Sequence, residues 1–216
     1  MKYSRTEIIN RTCNFVKDSL KNAEGGHDWF HIERVWKNAK LIALHQNADI
    51  FVVELGALLH DIADSKFFDG DETIGPAKAR NFLYQFNLDE NIIVHIEKII
   101  ENISFKGGNF VQNFNSPELD IIQDADRLDA IGAIGIARTF NYGGFKNRQI
   151  YNPEIKPQLN MTKQEYKTVN APTINHFYEK LLLLKDKMKT AKGKEIAEER
   201  HRFMEQFLEQ FYKEWN

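Results

Sequence analysis

Isoleucine in this chain recurs at helical offsets, and that spacing constrains the fold more than any other feature. Ile92, Ile93, Ile96, Ile99, Ile100 and Ile103 follow one another at steps of three and four, which lays them along one stripe of a helix. A half-buried strand would alternate in steps of two, so the β-branched composition does not signal sheet here.

The same period runs through most of the chain. Ser4-Arg5-Thr6-Glu7 has the form of a capping box ahead of Ile8, Ile9, Cys13, Val16 and Leu20. Asp28 is placed to cap a second helix to about Gln46, with Ile32, Val35, Trp36, Ala39 and Ile42 inward, and Asp49 a third to about Ala63. Gly75-Pro76 opens a fourth, Asp89 precedes the isoleucine helix, and Ser116-Pro117-Glu118 starts a sixth that is expected to run on to about Phe140. Two long helices, about 173–189 and 194–215, close the chain. Residues 104–116 and 141–172 break the period; a connection as long as the second usually serves as a lid, a binding loop or an oligomer contact. The expectation is an all-α fold, a single domain over 1–216, with a long irregular loop before two C-terminal helices.

Bulk properties narrow the function. The net charge of −2 provides no global field for a nucleic acid polymer or an acidic membrane surface, so any phosphate binding must be local. A single cysteine, Cys13, cannot form an internal disulfide and falls on an apolar stripe, which suits a reducing compartment and a buried role. The N-terminal residues lack the apolar run of a signal peptide, and no stretch reaches bilayer-spanning length, so a cytoplasmic location is expected.

The chemistry concentrates at His60-Asp61, which ends the apolar run Ala57-Leu58-Leu59. Burying an imidazole and a carboxylate there without partners is costly, and a bound cation satisfies both. Helical spacing places Ala57, His60, Asp61 and Asp64 on one face of the third helix, and His31, Arg34, Val35 and Asn38 on one face of the second. The sixth helix offers Asp126, with Asp124 and Asp129 as neighbouring alternatives. Two imidazoles and two carboxylates suit one divalent ion, Mn²⁺ or Mg²⁺ first, with Fe²⁺, Co²⁺, Zn²⁺ or Ni²⁺ as alternatives. Such an ion can polarise a phosphoryl oxygen and make hydroxide available near neutral pH.

The ordered set His31, His60-Asp61 and Asp126, the last within Gln123-Asp124-Ala125-Asp126-Arg127-Leu128, resembles the HD-domain metal-dependent phosphohydrolases. The likeness extends through Ala130–Phe140, Tyr142-Gly143-Gly144 and Ile196-Ala197-Glu198-Glu199-Arg200-His201, nearly the whole chain, and points to the small stand-alone bacterial branch. It implies an HD-type helical bundle whose metal site spans about 28–130, with His31, His60, Asp61 and Asp126 as ligands. It further implies Asp64 as the residue that handles the attacking water. Arg34, Lys66 and Lys106 are candidates for holding phosphate oxygens, and loop residues Phe67, Phe68, Phe105 and Phe110 for stacking on a base.

The implied activity is phosphohydrolysis of a nucleotide, first a nucleoside triphosphate to monophosphate and pyrophosphate, second a 5'-nucleotidase reaction. The chain lacks the Gly-Tyr-Pro element of cyclic-di-nucleotide phosphodiesterases and the Glu-Asp pair after His-Asp found in alarmone hydrolases, which disfavours both substrates. A non-haem iron oxygenase would need extra histidines between Asp61 and Asp126, where His95 stands alone. A non-catalytic nucleotide-sensing module remains the reading of another class, disfavoured by Asp64 beside the four ligands. The aromatic tail, Phe203, Phe207, Phe211, Tyr212 and Trp215, suits core packing or a homodimer contact.

Overall fold

The computed structural model describes residues 3–21, 23, 26–63, 71, 73–103, 112–159 and 171–215. Every regular element among them is helical, so the fold is all-α. The described residues up to Ala125 form one compact unit and those from Asp126 onward a second, the division falling inside a helix. No helix among the described residues is long and apolar enough to cross a membrane.

The first unit contains α1 (Arg5–Ser19), α2 (Trp29–Ala43), α3 (Ile50–Leu59), α4 (Ile74–Tyr84), α5 (Glu90–Asn102) and most of α6 (Pro117–Asp129). Capping formed where short polar side chains precede the apolar stripes. Ser4 and Glu7 close a reciprocal box, while Asp28, Asp49 and Asp89 accept from the amides of His31, Phe51 and Asn91. α3 is buried on nearly all sides, packing against α1, α2 and α5, with Leu55, Leu58 and Leu59 fully inaccessible. Each such side chain contributes about 1.5–3 kcal/mol by leaving water. Gly56 lets α5 and α6 close on α3: a Cβ there would stand 2.6 Å from Ile122 Cδ1 and 3.5 Å from Ile99.

Three helical expectations are corrected. The third helix ends at Leu59 and not near Ala63; residues 60–63 form a turn in which the Ile62 amide reaches back three residues to Leu59. Helix-end carbonyls lack intrahelical donors, and here a shortened turn and a histidine ring supply them. The sixth helix does not continue to Phe140. It stops at Asp129, and α7 (Gly132–Phe145) starts after an extended Ile131, with Gly132 at φ 73°, a conformation that disfavours side chains. Finally, residues 173–189 are not one helix. They form α8 (Asn175–Glu179) and two 3₁₀ turns, Leu181–Leu183 and Lys185–Lys187.

In the second unit α7 packs against α9 (Ala191–Trp215). Arg200 of α9 covers Gly132 and donates to the Leu128 carbonyl, while Arg138 of α7 pairs with buried Asp129 at 2.7 Å. Part of the aromatic tail packs within the second unit, while Phe203 is exposed. Phe207 stacks on Phe177 at 5.7 Å and meets Phe140, and Tyr151 lies edge-on to Phe211, Tyr212 and Trp215.

Candidate metal centre

Within the first unit His31 lies beside two further sequence-derived ligands, His60 and Asp61. His31 is held by its own helix start: its amide donates to Asp28 Oδ1 at 3.0 Å, and its ring is 2% exposed. Fixing the cap fixes the first turn of α2, and with it the direction of that imidazole.

His60 caps the C-terminus of α3 and keeps helical dihedrals, so its side chain follows the helix face as the spacing predicts. Its Nδ1 donates to the Ala57 carbonyl at 2.8 Å. A carbonyl accepts only, so Nδ1 is the nitrogen committed to the backbone and Nε2 is the one left to face a metal. The His31 and His60 rings stand 5.4 Å apart, edge to face.

Asp61 lies in the turn after α3, with 17% of its side chain exposed. Its Oδ2 is 4.0 Å from His31 Nε2. The same oxygen accepts from Nδ1 of His27 at 2.6 Å. Burial alone would raise the Asp61 carboxyl. The hydrogen bond from His27, followed by the charges of His27, His60 and His31, outweighs burial and holds it well below the usual carboxylate range. The turn after α3 thus presents an ionised oxygen beside the His27 and His31 imidazoles.

His27 carried no spacing that suggested ligation, yet His27, His31 and Asp61 offer donor atoms within 4.8 Å of one another. The signal in the sequence was faint: a second histidine four residues before His31, just ahead of the Asp28 cap. Nothing local tells that a turn 34 residues away folds onto it.

The remaining expected residues are distributed as follows. Asp126 lies partly buried in the last turns of α6, one turn beyond Ile122, at the start of the second unit. Of its two alternatives, Asp129 is engaged by Arg138, and Asp124 is fully buried. Arg34 is partly buried on α2, one turn after His31. Asp64, Lys66 and Lys106 lie outside the described residues, as do Phe67, Phe68, Phe105 and Phe110. His95 lies 2.9 Å from Ser116 Oγ and 3.5 Å from Glu118.

These donors fit a divalent ion of intermediate hardness: imidazole nitrogens with a carboxylate oxygen, no thiolate, and one histidine whose Nδ1 is committed to a backbone carbonyl. Comparison with known proteins agrees. The HD domain family model matches residues 29–131, and a protein of Bacillus subtilis, YpgQ, is 37% identical over 201 residues, 93% of this chain and 90% of its own. The chain belongs to the HD-domain family. Solved structures of the family superpose over almost its full length. A crystal structure of an HD-superfamily hydrolase from Bacillus thuringiensis has 44% identity, 99% coverage of both chains and a TM-score of 0.78. Bacillus subtilis YpgQ in complex with ADP has 34% identity, 97% and 96% coverage and a TM-score of 0.77. HD domains bind divalent metals, and this member presents a His/Asp cluster of the kind that holds one.

Proposed function

We propose that this HD-domain chain is a divalent-metal-dependent phosphohydrolase of nucleotides that converts a nucleoside triphosphate to its monophosphate and pyrophosphate. The observation that carries this reading is that His31 lies beside both His60 and Asp61, with His60 Nδ1 committed to a backbone carbonyl and the Asp61 carboxyl held ionised. His31, His60, Asp61 and Asp126 hold the ion, Mn²⁺ or Mg²⁺ in the first instance.

When bound, the ion supplies positive charge on a phosphoryl oxygen and acidifies water enough for attack near neutral pH. The chain's own groups do the rest. Asp64, three residues after Asp61, accepts the proton of the attacking water. Arg34 holds phosphate oxygens through its planar fork, and Lys66 and Lys106 contribute point charges. Attack at the α-phosphorus breaks its bond to the bridging oxygen, which leaves on pyrophosphate. That a relative, YpgQ, crystallised with ADP supports a nucleotide with a polyphosphate chain as the occupant.

The test is a nucleotide panel with Mn²⁺, resolving orthophosphate from pyrophosphate. Pyrophosphate release from triphosphates is expected; orthophosphate from monophosphates would replace this reading with the 5'-nucleotidase one. Tight nucleotide binding without turnover would make the chain a sensor.

A further inference from the structure

The turn that carries Asp61 needs lateral support. Asp61 stands two residues beyond Leu59, the last helical residue of α3, so regular helix hydrogen bonding does not fix its backbone as it fixes that of His31 on α2. Its carboxylate can rotate about two side-chain bonds, and the ligand would lose affinity for each orientation that points elsewhere. One group in the first unit visibly restrains it. Nδ1 of His27 donates to Oδ2 at 2.6 Å, across 34 residues of sequence.

His27 is itself well placed to act as a fixed donor. It immediately precedes Asp28, whose side chain is committed to the start of α2 through the His31 amide. Its ring lies edge-on to His31 with centroids 5.8 Å apart, and 22% of its side chain is exposed. The anchor of α2 therefore also anchors this histidine, and one segment presents both His31 and the partner of Asp61.

The separation decides between two roles. Two donors bound at roughly 2.0–2.2 Å to one cation, at right angles, stand about 3 Å apart. At 2.6 Å the His27 and Asp61 atoms stand at hydrogen-bond distance, closer than two donors set at right angles on one cation. Oδ2 has a second lone pair, and Oδ1 is a second acceptor, so the hydrogen bond still leaves Asp61 able to ligate.

We infer that His27 is a positioning residue of the metal centre: it orients Asp61 by donating Nδ1–H to Oδ2 and is not itself a ligand. This rests on the metal-dependent reading above. Hydrogen-bond partners of metal ligands typically contribute 10–100-fold in metal affinity, and His27 would do so here by holding the carboxylate on a turn.

The test is Mn²⁺ binding to the nucleotide-free protein, followed by titration calorimetry and by the loss of free-ion EPR signal. The variants are His27→Ala, His27→Asn, His27→Gln and Asp61→Ala, each with its metal-free melting temperature. The expected result is a loss of roughly 10–100-fold in affinity for His27→Ala, at one ion per chain. His27→Asn should recover most of it, because the Asn amide nitrogen overlays Nδ1. His27→Gln, whose amide reaches past that position, should not.

Wild-type affinity in His27→Ala overturns the proposal, and so does equal loss in the Asn and Gln variants. A stoichiometry that drops from two ions to one in His27→Ala makes His27 a ligand and overturns it as well. Should His27→Ala fail to fold, the Asn and Gln pair decides. If the wild type and Asp61→Ala bind Mn²⁺ alike, the metal-dependent reading itself falls; if Asp61→Ala alone loses binding, only the role of His27 is refuted.

Discussion

Ile122 Cδ1 fills the space that a Cβ on Gly56 would need, 2.6 Å from where that atom would be. Ile122 and Ile99 are both fully inaccessible, so neither has solvent to swing into. Helix α6 thereby backs onto α3 where α3 has no side chain, one turn before His60.

Replacing Gly56 with valine should therefore overpack this contact. The cost expected is about 1–3 kcal/mol, against which valine's better helix propensity over glycine gains well under 1 kcal/mol. Urea denaturation without added metal checks it, and an unchanged midpoint would show that Ile122 repacks freely.

The His60-Asp61 pair should be indispensable to turnover. His60→Ala and Asp61→Asn each remove a donor of the proposed centre, and hydrolysis of a nucleoside triphosphate with Mn²⁺ should fall more than about 100-fold, beyond the range seen for mere ligand partners. Activity within tenfold of wild type in both variants would remove this pair from the chemistry.

Arg34 separates charge from geometry. Lysine keeps the charge at position 34 but loses the fork proposed to hold two phosphate oxygens. Arg34→Lys is expected to raise KM for a triphosphate about tenfold with kcat little changed, the pattern of a lost binding contact. Steady-state kinetics decide, and a kcat loss with constant KM would assign Arg34 to the reacting phosphoryl group.

A pH effect on stability should come from the second unit. Burial, with the nearby charges of Lys180 and Arg148, lowers His176 to about 3. The unfolded chain titrates near 6.5, so between about 6.5 and 3 it takes up a proton that the folded protein refuses. Stability then falls as pH drops through that window, by at most about 1.4 kcal/mol per unit. His176→Gln lacks this proton, so its stability should decline less between pH 7 and pH 5 than that of the wild type in paired urea titrations. Equal declines would show that His176 titrates normally.

Legibility followed the range of the determining interactions. The caps at Asp28, Asp49 and Asp89 were readable because a cap is settled within three residues. The buried face of α5 was readable because Ile93, Ile96, Ile99 and Ile100 carry its period. The break between α6 and α7 was not, since it depends on Arg200 from the last helix lying over Gly132 and on Arg138 holding Asp129. Residues 173–189 carry helical spacing, but the Thr173 and Ile174 amides bond to Gln149 and Ile150, and short 3₁₀ turns bury Leu181, Leu184 and Met188. There tertiary hydrogen bonds overrode local preference.

By itself the order of residues determined the all-helical architecture and the family, because helical period, caps and the His31…His60-Asp61…Asp126 series are properties of short stretches and their succession. Only the folded chain decided that Asp61 meets His27, and that Asp129 turns to Arg138. Those pairings join segments whose approach is set by core packing, and no local spacing encodes such a distance.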